Sequence, residues 1–169
     1  MIRRGRETDA AALRQLQSQL REPSPALLRH ALSVDTVFVS AVDAGDTTAV
    51  AAGDTSTSDA TVGTGDVPVG YLLPVPGEGV HIAELVVHPD YRREGRATRL
   101  LRRVLAAADE RVTLLVHQEN DAARGLYEAV GFDTVGRRPG FYVDADAIVM
   151  AREPLDTTET NDLGQSVSF

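Results

Sequence analysis

Apolar side chains recur along this chain with two periods, one helical and one strand-like. Ala10, Leu13, Leu16 and Leu20 fall three or four residues apart, which predicts a helix capped by Thr8 or Asp9. Leu27, Leu28 and Leu32 repeat that spacing after Ser24-Pro25, with proline at the favoured first helical position. Residues 96–108 place Ala97, Leu100, Leu101, Val104 and Leu105 on one helical face. A fourth helix, opened by Asn120, carries Ala123, Leu126, Tyr127 and Val130 and stops at Gly131. Strands are predicted at residues 2–4, from Val37 onward, at 69–73 (closed by Pro74 and Pro76), at 80–87, at 132–135 and at 147–150. The unbroken apolar run at 112–116 predicts a strand covered on both faces.

Strands and helices interleaved in this way predict one mixed α/β domain over residues 1–154, without internal repeats. Residues 43–66 are Ala, Gly, Thr, Ser and Asp with almost no large side chain, so a flexible acidic hairpin insertion is expected there. Residues 155–169 are polar and read as a loose tail.

Composition changes the picture in three ways. The chain has no cysteine, which excludes disulfides, thiolate metal sites and a cysteine nucleophile. Its 4 histidines have no metal-ligand spacing, and no metal is expected. All 17 basic residues are arginine, yet the net charge is −8. A GC-rich genome accounts for arginine over lysine, but not for the acidic excess. Adaptation to molar salt accounts for both, because abundant carboxylates keep a surface hydrated where charge is screened. An acidic surface also argues against nucleic acid as a general partner. The first ten residues have no apolar stretch, and no run approaches the length of a membrane span. The expectation is a cytoplasmic protein without a membrane partner; the sequence leaves the oligomeric state open.

Candidate chemistry starts at residues 92–97, Arg-Arg-Glu-Gly-Arg-Ala, between a strand end and a helix start. Free backbone N–H groups and the positive end of a helix favour a pyrophosphate at such a place. Gly95 lets an anion approach the backbone, and Arg92, Arg93 and Arg96 add cationic donors. A glycine turn with solvated arginines is the plain alternative. The surrounding sequence, from Val86 through Arg92, Gly95 and Ala97 to Leu101, closely resembles the acyl-CoA motif of the GNAT superfamily, Arg/Gln-x-x-Gly-x-Gly/Ala between a strand and a helix. Asn120-x-x-Ala123-x-x-Leu126-Tyr127, followed by Gly131-Phe132, is similar to that family's later motif. The resemblance spans about residues 2–152 outside the insertion.

It implies a single α/β domain with a mixed, mostly antiparallel central sheet flanked by helices. The implied activity is acetyl transfer from acetyl-CoA to an amine. The implied cofactor contacts are Val86, Val87, Arg92, Arg93, Glu94, Gly95, Arg96, Ala97, Thr98, Asn120 and Ala123. Backbone N–H groups near Val86 and Val87 would serve the oxyanion. Asn120 also reads as a plain helix cap.

Tyr127 is the candidate acid for the leaving thiolate, the alternative being a core aromatic. His81 and Glu84 are the candidate bases, expected on opposite faces of their strand unless a bulge intervenes. Structural roles remain open for both, His81 at a strand edge and Glu84 paired with an arginine. Relatives of the ribosomal-protein type often carry a glutamate base where this chain has Leu115. His88 and His117 are read as loop residues. Residues 135–142 and 146–150 resemble the end of ribosomal-protein N-terminal acetyltransferases, which implies a protein N-terminus as acceptor, with Tyr142 over it. Tyr142 reads equally as a core aromatic. A small-molecule amine is the alternative acceptor, and a non-catalytic acyl-CoA-binding module is the reading from another class.

Overall fold

The computed structural model describes residues 1–46 and 65–154. Its strands are β1 (Ile2–Arg4), β2 (Phe38–Asp43), β3 (Asp66–Gly77), β4 (Gly79–Val87), β5 (Val112–His117), β6 (Asp133–Arg138) and β7 (Ala147–Arg152). They form one sheet in the order β1-β2-β3-β4-β5-β7-β6. Neighbours are antiparallel except β4 and β5, which run parallel because α3 (Arg96–Ala107) crosses over between them. The other helices are α1 (Ala10–Gln17), α2 (Pro25–Ser33) and α4 (Asp121–Ala129).

Two apolar cores follow from the alternation of side chains across the sheet. On one face, Leu100, Leu101 and Val104 of α3 and Tyr127 of α4 pack on Ile82, Leu114, Val116 and Met150. On the other, Leu13 and Leu16 of α1 and Leu28 and Leu32 of α2 cover Val39, Tyr71, Leu73 and Val86. Each of these fully buried aliphatic side chains contributes about 1.5–3 kcal/mol, so neither helix layer detaches cheaply.

Several expectations are corrected. β3 does not stop at Pro74 and Pro76 but continues to Gly77. Its pairing with β2 reaches only as far as Leu72, so neither proline needs an N–H on that side. The hairpin to β4 turns on Gly79, at φ 89°, where a Cβ would lie 2.3 Å from the Arg111 carbonyl oxygen. α1 ends at Gln17 rather than Leu20. Asp9 does not cap it by its side chain but accepts from the Arg6 N–H at 2.8 Å. The insertion is narrower than expected at its described ends, since Asp43 closes β2 and Asp66 opens β3. The remainder, 47–64, and the tail, 155–169, lie outside the described residues.

A charged cluster joins the start of the chain to β3. Arg3 holds Asp9 with two hydrogen bonds, 2.7 and 3.0 Å, and also bonds Asp66, which Arg6 reaches at 3.2 Å. Burial pushes the Asp9 carboxyl up, but the bonds from Arg3 and the Arg6 N–H outweigh it and hold the group below its ordinary value. The Arg3 bond likewise holds Asp66 down.

Candidate active site

The parallel pair is where the sheet opens. β4 and β5 pair only from Val80–Val112 to Ile82–Leu114, although β4 continues to Val87 and β5 to His117. Beyond Ile82 the strands part, and two cavities lie along the gap, of about 470 and 720 Å³. They share a wall made of Leu20, Arg21, Leu85, Asn120, Ala123 and Tyr127.

The larger cavity is built on the β4–α3 connection. The first helical bond of α3 runs from the Arg99 N–H to the Gly95 carbonyl, 3.0 Å, so the N–H groups of Arg96, Ala97 and Thr98 have no acceptor within the helix. Gly95 sits just before them at φ 71° and offers no side-chain cap. A Cβ on it would meet no protein atom within 4 Å. Three N–H groups without a helical acceptor, a positive helix end and open space beside Gly95 fit a pyrophosphate. Every expected cofactor residue except Glu94 lines this cavity. Glu94 instead pairs with Arg96 at 2.8 Å and offers its carbonyl to Arg99. Arg92 is tied back to the Val87 carbonyl and to Gln19, while Arg96 also reaches Ser40 and lies over the Tyr91 ring. Arg93 is exposed, lines the cavity and has no partner among the described residues.

The smaller cavity takes its walls from the α1–α2 connection, β4, β5, α4 with its cap Asn120, and the β6–β7 connection. His81 and Glu84 both line it, which overturns their expected opposite facing. Leu73 pairs with Glu84 but Pro74 with Ile82, so Ala83 is an extra residue in β4 and shifts the alternation by one. Glu84 is 4% exposed and fully engaged. Its Oε1 accepts from the Ser24 N–H at 2.7 Å and its Oε2 from the Tyr71 hydroxyl at 2.8 Å, while Gln17 Nε2 lies 3.0 Å from both oxygens. The Glu84 side chain therefore fastens α1 and the α1–α2 connection to the sheet; its partners are not arginine.

His81 is half-buried beside its parallel neighbour Thr113, with Nδ1 3.1 Å from Thr113 Oγ1. When Nδ1 carries the proton and donates to that hydroxyl, Nε2 keeps its lone pair. Burial, with Arg138 adding to it, pushes the imidazole below its ordinary value.

Tyr127 comes from α4 on the opposite face and is 9% exposed. Phe132 packs edge-on against it with ring centres 5.9 Å apart. Burial, then Tyr142, pushes its phenol up to about 12. Asn120 caps α4 by accepting from the Ala123 N–H at 3.2 Å, and Ala123 lies in the shared wall.

Some residues of the site were not legible beforehand. His117 is no loop residue but the end of β5, buried, lining the smaller cavity and 4.9 Å from the Tyr142 ring. His88 does begin a loop, where it accepts from the Asp90 N–H. In β5, Thr113 and Leu115 are half-buried while the other four residues are buried, and Leu115 lines the smaller cavity. Among the described residues no cluster of His, Asp and Glu could hold a metal, and no helix is long and apolar enough to cross a membrane.

Known proteins share this arrangement. The family model for the acetyltransferase (GNAT) family matches residues 19–132. The N-alpha-acetyltransferase RimI of Mycobacterium tuberculosis (strain ATCC 25618 / H37Rv) is 44% identical over 73 residues, 41% of this chain and 46% of that protein. A mycothiol acetyltransferase of Saccharomonospora viridis is 46% identical over 66 residues, 37% of this chain and 21% of that protein. The chain thus spans less than half the length of the curated relatives it matches. Among solved structures, the ribosomal-protein-S18-alanine N-acetyltransferase from Escherichia coli superimposes with a TM-score of 0.66 at 20% identity, covering 100% of this chain and 99% of that one. Ard1 from Thermoplasma volcanium gives 0.71 at 21% identity, covering 92% and 98%. A family model matched across two-thirds of the chain, on a sheet that opens where the two motifs meet, makes this protein a member of the acetyltransferase (GNAT) family.

Proposed function

We propose that this protein transfers the acetyl group of acetyl-CoA to the α-amino group of a protein N-terminus. The observation that carries the reading is Tyr127 in the wall common to both cavities, between a pyrophosphate-sized cradle and a second pocket. Acetyl-CoA in the larger cavity supplies a thioester, an acyl carbon activated toward an amine. The N–H groups of Arg96, Ala97 and Thr98, with Arg93, hold its phosphates. Val86 and Val87 pair with β3 on one edge, but beyond Ile82 β4 has no β5 partner on the other; N–H groups alternate between edges, and the one on the open edge, at Val87, is offered to the oxyanion. Tyr127 keeps its proton at neutral pH because burial raises it, and gives that proton to the leaving sulfur.

His81 is the base. Burial keeps it neutral near pH 7, Thr113 orients it, and it takes the amine's proton through water in the smaller cavity. Glu84, with both oxygens engaged, is not the base but the residue that shapes the pocket. Tyr142, half-buried in the same pocket, packs over the acceptor. The similarity to a mycothiol acetyltransferase favours a small-molecule amine as the second reading. The acidic, lysine-free composition supports a protein that works in high salt.

The deciding experiment offers acetyl-CoA with hexapeptides beginning Ala, Ser or Met, and separately with spermidine and an aminoglycoside, at about 0.1 and 2 M KCl. Thiol release with peptides and acetate on the α-amine is the expected result, with the higher rate in high salt. Release with the small amines alone moves the acceptor to the second reading. Tight acetyl-CoA binding with no turnover on any acceptor sinks the enzymatic reading.

A further inference from the structure

The smaller cavity is bounded on two sides by connections that are each pinned to the fold. At one end of the α1–α2 connection, the Ser24 N–H is held by Glu84 at 2.7 Å. In the β6–β7 connection, Asp146 accepts from the Gly140 N–H and pairs with Arg137, both at 2.9 Å, and Tyr142 donates to the Ala145 carbonyl. The two connections meet at three side chains. Arg21 NH1 lies 3.4 Å from Asp144 Oδ2 and 3.3 Å from His117 Nε2, and Asp144 Oδ1 lies 3.5 Å from the same nitrogen. The His117 ring has its other nitrogen occupied, since Nδ1 accepts from the Glu119 N–H at 3.2 Å. With that lone pair used, a neutral His117 carries its proton on Nε2, directed at Asp144; Arg21, a donor only, then joins the ring through Asp144 and not by a hydrogen bond of its own. Tyr142 packs on the same buried ring.

We propose that Arg21, His117 and Asp144 form a clasp that joins the α1–α2 and β6–β7 connections across the smaller cavity, and that Arg21 and Asp144 thereby set affinity for the acceptor amine. They are positioning residues. Neither is needed for proton transfer; they hold Tyr142 and the α1–α2 connection at the separation that grips an acceptor. The clasp is built asymmetrically, from a buried ring and two outer partners whose side chains are 64% exposed. Its outer pair is therefore open to screening by salt, while the buried ring is not. Arg21 belongs to the wall shared with the larger cavity and Asp144 does not line it, so Asp144 is the cleaner probe.

The acceptor part of this inference rests on the acetyl-transfer reading, and two measurements keep the two apart. Hydrogen exchange on the protein alone needs no turnover. Asp144→Ala and Arg21→Ala should each speed exchange in both 18–24 and 139–146; change in one segment only, or in neither, overturns the clasp. With the best acceptor from the panel above, Asp144→Ala should raise acceptor KM roughly fivefold, leaving kcat within about twofold and the acetyl-CoA KM unchanged. The double Arg21→Ala/Asp144→Ala variant should be no worse than either single one, and the reversed pair Arg21→Asp/Asp144→Arg should recover most of the loss. The difference from wild type should shrink in about 1 M KCl. Additive single effects, an unchanged acceptor KM, or no recovery in the reversed pair overturn it. Absence of turnover in the wild type strikes the acetyl-transfer reading instead and leaves the exchange result to decide the clasp.

Discussion

The two cavities share a wall but are made differently. The larger is mostly one stretch of chain, a strand end followed by a loop and the first turn of α3, with backbone N–H groups and arginine side chains of that same stretch among its polar groups. The smaller is assembled from five separate parts of the sequence, and its polar groups are largely side chains that meet only in the folded state. A contiguous backbone cradle is insensitive to most substitutions outside its glycine. A pocket made of distant side chains is exposed to every change in its supports. On the proposed reading, the two ligands of one reaction are held with unequal tolerance: the cofactor by a local motif, the acceptor by tertiary structure.

The largest effect that sharpens this comparison is expected at the shared wall. Tyr127→Phe should lower kcat by about 100-fold or more while acetyl-CoA affinity stays within about twofold, as stopped-flow and equilibrium binding would measure. Equal loss of both would remove the acid role and make Tyr127 a packing residue. Next comes the support of the smaller cavity. Glu84→Gln keeps the shape but removes the charge that receives Tyr71, Gln17 and Ser24, and should cost about 2 kcal/mol of unfolding free energy in a denaturant titration. kcat should change little at the same time; a collapse of kcat without loss of stability would return Glu84 to the candidates for the base.

In the larger cavity the sensitive point is Gly95. Gly95→Ala places a side chain at φ 71°, at a backbone cost of about 1–2 kcal/mol, and into the space in front of the free N–H groups. Calorimetry should show acetyl-CoA binding weakened roughly tenfold, with acceptor KM unchanged. The smallest effect is on pH dependence. Burial lowers the His81 value, so the neutral, proton-accepting form already dominates at neutral pH. The acid limb of kcat should therefore lie below the ordinary histidine value of 6.5 and vanish in His81→Ala. No alkaline fall should come from Tyr127, whose value near 12 is beyond the working range.

The same contrast explains what could be read from sequence. The helices and most strands follow from periodicity, and residues 92–98 declare themselves because a pyrophosphate site at a helix start needs neighbours in sequence. Asn120 and Tyr127 are legible as one helical motif. The facing of His81 and Glu84 is not, because one extra residue at Ala83 reverses the alternation and nothing in the composition of β4 marks it. Thr113 beside His81 depends on which strands run parallel, a property of the sheet and not of either strand. Arg21 and Asp144 stand 123 residues apart, and a lone arginine after a helix carries no sign of its partner. The passage of β3 through Pro74 and Pro76 is hidden for a related reason: it depends on where β2 stops pairing with it.

The pairing of Asp43 with Asp66, backed by the Arg3 bond to Asp66, has a consequence for the evolution of length in this chain. The two ends of segment 47–64 are brought together by the sheet itself, so lengthening the segment adds the entropy of closing a longer loop. That entropy grows with the logarithm of length, at about 0.6 kcal/mol per doubling. By this entropy alone, an added length between β2 and β3 costs little stability. A tag, a sensor domain or a shorter turn grafted between Asp46 and Gly65 should leave both cavities as they are.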